Sequence, residues 1–151
     1  MVLLNYDSED VTSIVSRERC ACGRSHLRIR PPGRENDRLA IGMARLDRTE
    51  IERAVFAPEN MADLTGEYEA FLYGEGDAGA VLRIGLECRD PGACDRRAIS
   101  GRIVETLAAH NPLLGSMQAG SELRVLFSFT GPGGLELQQI KGRPKRLVDR
   151  R

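Results

Sequence analysis

Hydrophobic and polar residues alternate along much of this chain with the period of a β-strand. Over residues 80–88, Leu82, Ile84 and Leu86 alternate with Arg83, Gly85 and Glu87, so this segment is predicted to be a strand, and the segments 67–74 and 122–131 are predicted to be strands as well. Two shorter apolar segments, 38–43 and 135–140, predict one further strand before these three and one after them.

Two other segments have the three- and four-residue spacing of an amphipathic helix. The first, residues 46–56, begins with a capping box, because Asp47 stands at the N-cap position and Glu50 at the third helical position. The residues of its apolar face are Ile51, Ala54 and Val55.

The second predicted helix covers residues 95–110. Its apolar residues recur at helical spacing, and Asn111 and Pro112 are predicted to end it. These apolar residues are Ile99, Ile103, Val104 and Leu107.

The order of these elements predicts the fold. From residue 38 it reads β-α-β-β-α-β followed by a short final strand, which is the split-βαβ, ferredoxin-like pattern. We therefore expect an α+β domain with its helices on one face of an antiparallel sheet. Ahead of it, only residues 1–6 and 26–31 have short strand patterns, and Pro31, Pro32 and Gly33 are predicted to break the chain.

Composition and charge limit the possible functions. The length of 151 residues fits one domain with an appended segment, and 22 Lys and Arg balance 22 Asp and Glu. A net charge of zero removes the electrostatic argument for nucleic acid or an anionic membrane as partner. Four cysteines without a secretion signal indicate reduced thiols in the cytoplasm. The basic segment 141–151 is the local exception; its alternative interpretation is a solvated terminus.

A G-x-G-x-x-G motif is present at Gly74, Gly76 and Gly79. It stands between two predicted strands, whereas the dinucleotide fingerprint leads from a strand into a helix, so a β-hairpin is the better interpretation. The sequence contains no phosphate loop of the G-x-x-x-x-G-K-[ST] type, and no spacing argues for a catalytic triad.

Metal binding is suggested by Cys20, Cys22 and His26, three potential ligands within a short stretch. A structural zinc site needs four ligands, and thiolates are usually spaced C-x₂₋₄-C rather than C-x-C. Cys88 and Cys94, which flank a turn, are a possible distant source of ligands. The alternative is that the first two cysteines are half-buried loop thiols and the histidine is a polar residue at a strand edge.

Four segments follow the order of motifs in a known family. LLNYDSED (3–10) resembles its strand ending in Tyr-x-Thr-Gly-Asp, and CACGRSHLRI (20–29) its Cys-x-Cys-Gly-Arg segment. GRENDRLAI (33–41) resembles its Gly-Arg-x-Asp-Asp hinge, and KGRPKRLVDRR (141–151) its closing Gly-Lys-x-x-Arg-Val-x-Asp-x-Arg. Almost end to end, the chain resembles the C-terminal part of phenylacetate-CoA ligases and related aryl-CoA ligases of the adenylate-forming superfamily.

This resemblance implies an activity and a domain arrangement. The family forms an acyl-adenylate from a carboxylic acid and ATP, then transfers the acyl group to coenzyme A. A small C-terminal domain swings about a hinge between the two half-reactions. Residues 1–35 would be the last strands of the large adenylation domain plus the hinge, and residues 36–151 the swinging domain.

The resemblance also assigns residue roles. Asp10 would hold the ribose hydroxyls of ATP, and Arg34 would approach the ribose or the phosphates. Asn36 would occupy the hinge, where the family has Asp. In some relatives the cysteine segment contributes to a zinc site whose other ligands lie upstream.

Several positions depart from the family pattern. Arg143 stands at the position of the adenylation lysine, unless the alignment shifts by two residues and places Lys141 or Lys145 there. Glu9 replaces a glycine before the ribose-binding aspartate. Met43 replaces a glycine in the loop after the hinge, where a side chain would crowd the pantetheine tunnel.

Two functions follow as expectations. The chain is either the C-terminal domain of such a ligase, inactive without a large domain, or a non-catalytic, ligase-derived module that binds a partner or ligand. A stably folded relic with no activity of its own is the third alternative. The first implies ATP or AMP, coenzyme A and Mg, with Zn as a possible addition. Its partners would be a separate adenylation core or a second copy, and a small carboxylic acid, with neither nucleic acid nor membrane.

Overall fold

The computed structural model describes residues 10–34, 37–74, 79–140 and 143–151. At positions 10–11, 31–34, 139–140 and 143 it describes the backbone alone. The chain divides into two compact units, with the boundary between Arg38 and Leu39.

The first unit contains a two-stranded antiparallel ribbon of β1 (Asp10–Ser16) and β2 (Arg28–Arg34). The strand predicted at 26–31 is therefore present, whereas the one predicted at 1–6 lies outside the described residues. The break predicted at Pro31, Pro32 and Gly33 is wrong, because all three belong to β2. Both prolines fall at a register shift of the ribbon, where neither is a partner in the ladder and no backbone N–H is required of it, so proline is tolerated.

The second unit begins within β3 (Arg38–Ile41), which forms a hairpin with β4 (Ala44–Asp47), and β4 leads directly into α1 (Arg48–Val55). The predicted capping box is confirmed, since the Asp47 N–H donates to Glu50 Oε2 over 2.8 Å. The apolar face predicted for this helix is completely buried.

Two long antiparallel strands follow the short helix α2 (Pro58–Met61). They are β5 (Leu64–Gly74) and β6 (Ala80–Cys88), and both were predicted from the sequence. The glycine-rich segment joins them, with Gly74 and Ala80 as cross-strand partners, so the hairpin interpretation is confirmed.

A long helix and a shorter one connect β6 to the next strand. The predicted helix is present as α3 (Arg96–His110), and the Asp95 side chain caps it by accepting from Ala98 N over 3.0 Å. Proline ends this helix as predicted, but it also stands in the first turn of an unpredicted helix, α4 (Pro112–Ala119). None of the helices in the described part of the chain is long and apolar enough to cross a membrane.

The main sheet has four strands in the order β10, β5, β6, β7, of which β7 is Leu123–Thr130 and β10 is Leu147–Asp149. The α+β class is confirmed, but the sheet is mixed: β10 pairs with β5, and β6 with β7, in parallel. The predicted strand at 135–140 is shortened to β8 (Gln138–Ile140), which pairs with β9 (Arg143–Lys145) outside this sheet. The first predicted strand, β3, pairs with β4, and β10 occupies the sheet edge beside β5.

The hydrophobic core lies between one face of the main sheet and the helices. Because side chains alternate along a strand, Tyr68, Ala70 and Leu72 of β5 enter the core while the residues between them point to the opposite face. We call this opposite face the outer face. The sheet and helix residues of the core include Leu82, Ile84, Leu86, Ile51, Val55, Ile99, Ile103 and Leu114.

Candidate functional site

The two residues expected to bind the nucleotide come together in the first unit. Asp10 opens β1 and Arg34 closes β2, and they are cross-strand partners at the same end of the ribbon. A carboxylate and a guanidinium at neighbouring positions provide acceptors for hydroxyl groups and donors for phosphate oxygens. Asn36, the expected hinge residue, lies outside the described residues.

The cysteine segment forms a tight turn between the two strands of this ribbon. Cys20 N donates to Arg24 O over 2.9 Å, and Gly23 N donates to Cys20 O over 2.8 Å. Gly23 has a φ of 84°, a left-handed conformation that other residues adopt only with strain. Arg19 Nε closes the turn by donating to Gly23 O over 3.0 Å.

Hydrogen bonds in this turn favour the thiolate form of Cys20. The pKa of its thiol is lowered by the backbone N–H of Cys22, then by the side chain of Cys22 and the N–H of Ala21, while burial opposes the shift. A thiolate held by backbone N–H groups is both a soft metal ligand and a nucleophile.

The donors present in this turn do not complete a metal site. Within the described ranges no group of three or more His, Cys, Asp and Glu side chains is placed to hold a metal ion. Cys20 and Cys22 lie side by side, whereas His26 is an exposed residue just before β2. Two thiols are half of a tetrahedral zinc site, so no chemistry is assigned here to zinc.

The residue expected at the adenylation-lysine position, Arg143, lies on a hairpin of the second unit. Arg143 is the first residue of β9 and pairs with Ile140 of β8, and Lys145 pairs with Gln138. Successive residues of a strand point to opposite sides, so positions 143 and 145 share one side of the hairpin. Lys141, the other alternative, lies outside the described residues.

Arg146 attaches this hairpin to the main sheet. Its Nη2 lies 2.7 Å from Glu67 Oε2, and its Nη1 donates to Tyr68 O over 2.8 Å. The guanidinium carbon is 5.3 Å from the centre of the Tyr68 ring, within the range of a cation–π contact. This anchor holds the backbone next to β9 against the edge of the sheet.

The last two arginines are also bound to the sheet. The guanidinium of Arg150 lies over the Phe71 ring on the outer face, 4.2 Å from its centre. Arg151 pairs with Asp149 at 2.6 Å and donates to Ala40 O over 2.7 Å. A solvated, fraying terminus is therefore the wrong interpretation for the end of the basic segment.

The loop that follows the expected hinge is the turn between β3 and β4. Gly42 has a φ of 55°, and the Met43 side chain beside it is 90% exposed. A methionine at the tip of a hairpin is an unusual exposure of apolar surface. The substitution noted in the sequence thus places a flexible apolar side chain in solvent.

A buried carboxylate on the outer face was not predicted. Glu69 is 9% exposed, and its Oε2 has no hydrogen-bond partner. Burial raises the pKa of this carboxyl, Arg83 and Arg150 lower it in part, and Glu136 raises it. The sequence signal is the cross-strand partner Gly85, whose missing side chain leaves the space that Glu69 fills.

Comparisons with known proteins give matches at the level of structure. No protein-family model and no curated protein matches the chain. A 2-hydroxyisobutyryl-CoA ligase in complex with 2-HIB-AMP and CoA, in the thioesterification state, matches with a TM-score of 0.52 and 20% identity over 94% of this chain. An open conformation of that ligase matches with a TM-score of 0.50 and 19% identity, also over 94%.

The chain corresponds to a small part of these ligases. It spans 27% and 28% of the two solved chains. A domain of a phenylacetate-coenzyme A ligase from Bacteroides vulgatus is a further match, with a TM-score of 0.45 and 12% identity over 76% of this chain and 92% of that one. The fold matches the small C-terminal domain of adenylate-forming ligases.

Proposed function

We propose that this chain provides the C-terminal part, including the swinging domain, of an ATP-dependent acid–CoA ligase. It would act only with a large adenylation domain, whether on another chain or on a longer form of this one. The observation that carries the proposal is the structural match over 94% of the chain to a ligase described in its thioesterification state. The order of the four sequence motifs along the same span supports it.

The proposed chemistry has two steps. In the first, the carboxylate of a small acid attacks the α-phosphorus of ATP, pyrophosphate leaves and an acyl-adenylate forms. In the second, the thiol of coenzyme A attacks the acyl carbon and AMP leaves. Mg would neutralise the phosphates in the first step.

Residues of this chain would bind and orient the nucleotide. The Asp10 carboxylate would accept hydrogen bonds from the ribose hydroxyls, and Arg34, its cross-strand partner, would donate to the ribose or the phosphates. Arg143 would place a positive charge beside the α-phosphate and the attacking carboxylate, where negative charge develops in the transition state. Arg146 would hold the hairpin that carries it.

The first test is identification of the large domain. The protein, tagged at its N-terminus, is purified gently from its own host, and co-purifying chains are identified by mass spectrometry. We expect a stoichiometric adenylation core, and ATP–pyrophosphate exchange by the complex with an aryl or acyl acid. Exchange that never appears with any co-purified core would contradict the proposal.

A second test separates the two half-reactions. In the reconstituted complex, Arg143→Ala should lower adenylate formation by about a hundredfold or more, the effect typical of losing one charge-stabilising group. Thioester formation from supplied acyl-adenylate should be unchanged. Gln138→Ala, an exposed residue of the same hairpin, is the matched control and should retain adenylation. Lys145→Ala tests the alternative alignment, because loss of adenylation in this variant alone would place the adenylation-lysine position at residue 145. Equal loss of both half-reactions in Arg143→Ala would mean that the residue serves only folding.

The alternative function, a non-catalytic binding module, is favoured by one observation, the exposed Met43 at the tip of the β3–β4 hairpin. If the chain catalyses thioester formation, Met43→Gly should speed that step and leave adenylation unchanged. If it is a binding module, Met43→Gly should weaken capture of the co-purified partner and no half-reaction should be detected.

A further inference from the structure

Two cysteines that the proposed ligase function does not use meet at the turn between β6 and α3. Cys88 is the last residue of β6 and is completely buried in the core. Cys94 stands just ahead of α3, is partly exposed and packs against the same core. Both are free thiols, and they flank the same turn.

Backbone hydrogen bonds hold the turn between these thiols. Asp90 accepts at its backbone oxygen from Cys94 N over 3.1 Å and at Oδ1 from Gly92 N over 2.8 Å. The other end is fixed because Arg89 N donates to Asp63 O over 2.8 Å. These bonds fix the backbone of the turn, and both cysteines pack into the same core, so the fold raises the effective concentration of the two thiols for each other.

The surroundings of the pair give its two members different roles. Burial, followed by the hydrogen bond and the charge of Cys94, raises the pKa of the Cys88 thiol to about 12. Arg96 opposes this rise in part, and Asp63 adds to it. Cys88 is thus a protonated, protected thiol at neutral pH, whereas Cys94 is accessible from solvent.

We propose that Cys88 and Cys94 form a redox modification site, which closes to an intrachain disulfide with a small disulfide such as oxidised glutathione as the oxidant. The Cys94 thiolate attacks one sulfur of the oxidant, the S–S bond of the oxidant breaks, and one glutathione thiolate leaves. Cys88 then releases its proton to solvent and its sulfur displaces the second glutathione thiolate from Cys94. Two protein thiols are oxidised, the oxidant is reduced to two thiols, and the new bond ties the end of β6 to the start of α3.

The test uses Cys20→Ser/Cys22→Ser, which leaves Cys88 and Cys94 as the only cysteines of the four in the sequence. The folded protein is equilibrated with mixtures of reduced and oxidised glutathione, the remaining thiols are alkylated, and the chain is digested with trypsin without reduction. We expect the peptides 84–89 and 90–96 to be joined in mass spectra. Wild-type protein, mapped in the same way, should contain the same linked pair. Free thiols, or glutathione retained on Cys94, would overturn the proposal.

A comparison with the unfolded chain tests the role of the fold. The equilibrium constant for disulfide formation should be about tenfold or more larger in the folded protein than in concentrated urea, because the fold holds the sulfurs together. Equal constants would overturn the proposal. Cys94→Ser is the matched control, and its folded form should keep Cys88 as a free thiol. Glutathione added to Cys88 as fast in this variant as in the unfolded chain would mean that the buried thiol is not protected.

Discussion

Replacing Asn60 should destabilise the second unit more than any substitution of an exposed polar residue in it. The need for this side chain begins in the sequence. Ala54 stands in the last turn of α1, where its carbonyl would accept from the N–H four residues later, but that residue is Pro58, which has none. Asn60 Nδ2 donates to Ala54 O instead, over 2.9 Å, and both residues are completely buried.

The same side chain connects α2 to α3. Arg102 Nε donates to Asn60 Oδ1 over 2.8 Å, so one buried amide serves three helices. Asn60→Ala leaves the Ala54 carbonyl buried without a donor, which costs about 1–3 kcal/mol, and the small cavity costs about 1 kcal/mol more. We expect a loss of about 3 kcal/mol in the free energy of unfolding, or roughly 6–12 °C in Tm for a chain of this size.

Chemical unfolding in urea, followed by circular dichroism, measures this loss. Glu59→Ala is the matched control, because Glu59 is exposed on the same short helix and the bond from Arg102 reaches its backbone oxygen. It should change the free energy of unfolding by less than about 0.5 kcal/mol. In a double-mutant cycle, Asn60→Ala and Arg102→Ala should be non-additive, since they share a bond. A loss below about 1 kcal/mol in Asn60→Ala would refute the reasoning.

Two further predictions concern charge and backbone conformation. Glu69→Gln should stabilise the fold at neutral pH, because burial raises the pKa of this carboxyl and its charge is disfavoured in the folded state. The stability difference between the variant and the wild type should disappear as the pH falls below 4.5, the ordinary pKa of a glutamate. Below that pH the carboxyl is protonated in both the folded and the unfolded state. Urea unfolding at neutral and acid pH checks this, and an advantage that is independent of pH would contradict it. Gly101→Ala, within α3 and with open space around the new methyl group, should stabilise by about 0.5–1 kcal/mol. Gly42→Ala should destabilise by about 1 kcal/mol, because φ is 55° and the methyl group would meet Met117. Thermal unfolding compares the two, and equal signs would contradict the prediction.

The elements predicted from the sequence are those whose information is local. Asp47 and Glu50 mark the start of α1, and in β6 the apolar residues Leu82, Ile84 and Leu86 occupy every second position. These local predictions agree with the structure because the residues that favour each helix or strand also form the apolar side that it buries. The two strands and the helix predicted most clearly, β5, β6 and α3, form the centre of the observed domain.

The elements that were missed depend on contacts far along the chain. The strand β10 has three residues, too few for a period to be recognised, and it exists because it pairs with β5. Pro112 was interpreted as a helix terminator, although a proline at that point equally suits the first turn of a new helix. The strand β4 was not predicted because it is only four residues long and continues directly into α1.

The candidate site residues also divide into those that the sequence suggested and those that only the fold brings together. Resemblance to a family supplied Asp10 and Arg34, but only the register of the ribbon makes them cross-strand partners. Sequence spacing suggested that Cys88 and Cys94 flank a turn, but only the tertiary fold buries Cys88 in the core and packs Cys94 against it. Nothing local marks Glu69 as buried, because its environment is created by a glycine on the neighbouring strand.

The parallel pairing of β10 with β5 affects the order in which this domain can fold during synthesis. Strands β5, β6 and β7 leave the ribosome one after another, whereas the contact of Arg146 with Tyr68 joins residues 78 apart in sequence. Until β10 is available, one edge of β5 offers its backbone groups to any other strand. The edge of β5 therefore stays unpaired in the nascent domain until β10 has been synthesised. Mispairing with another strand, or binding of a chaperone, can occur during this interval.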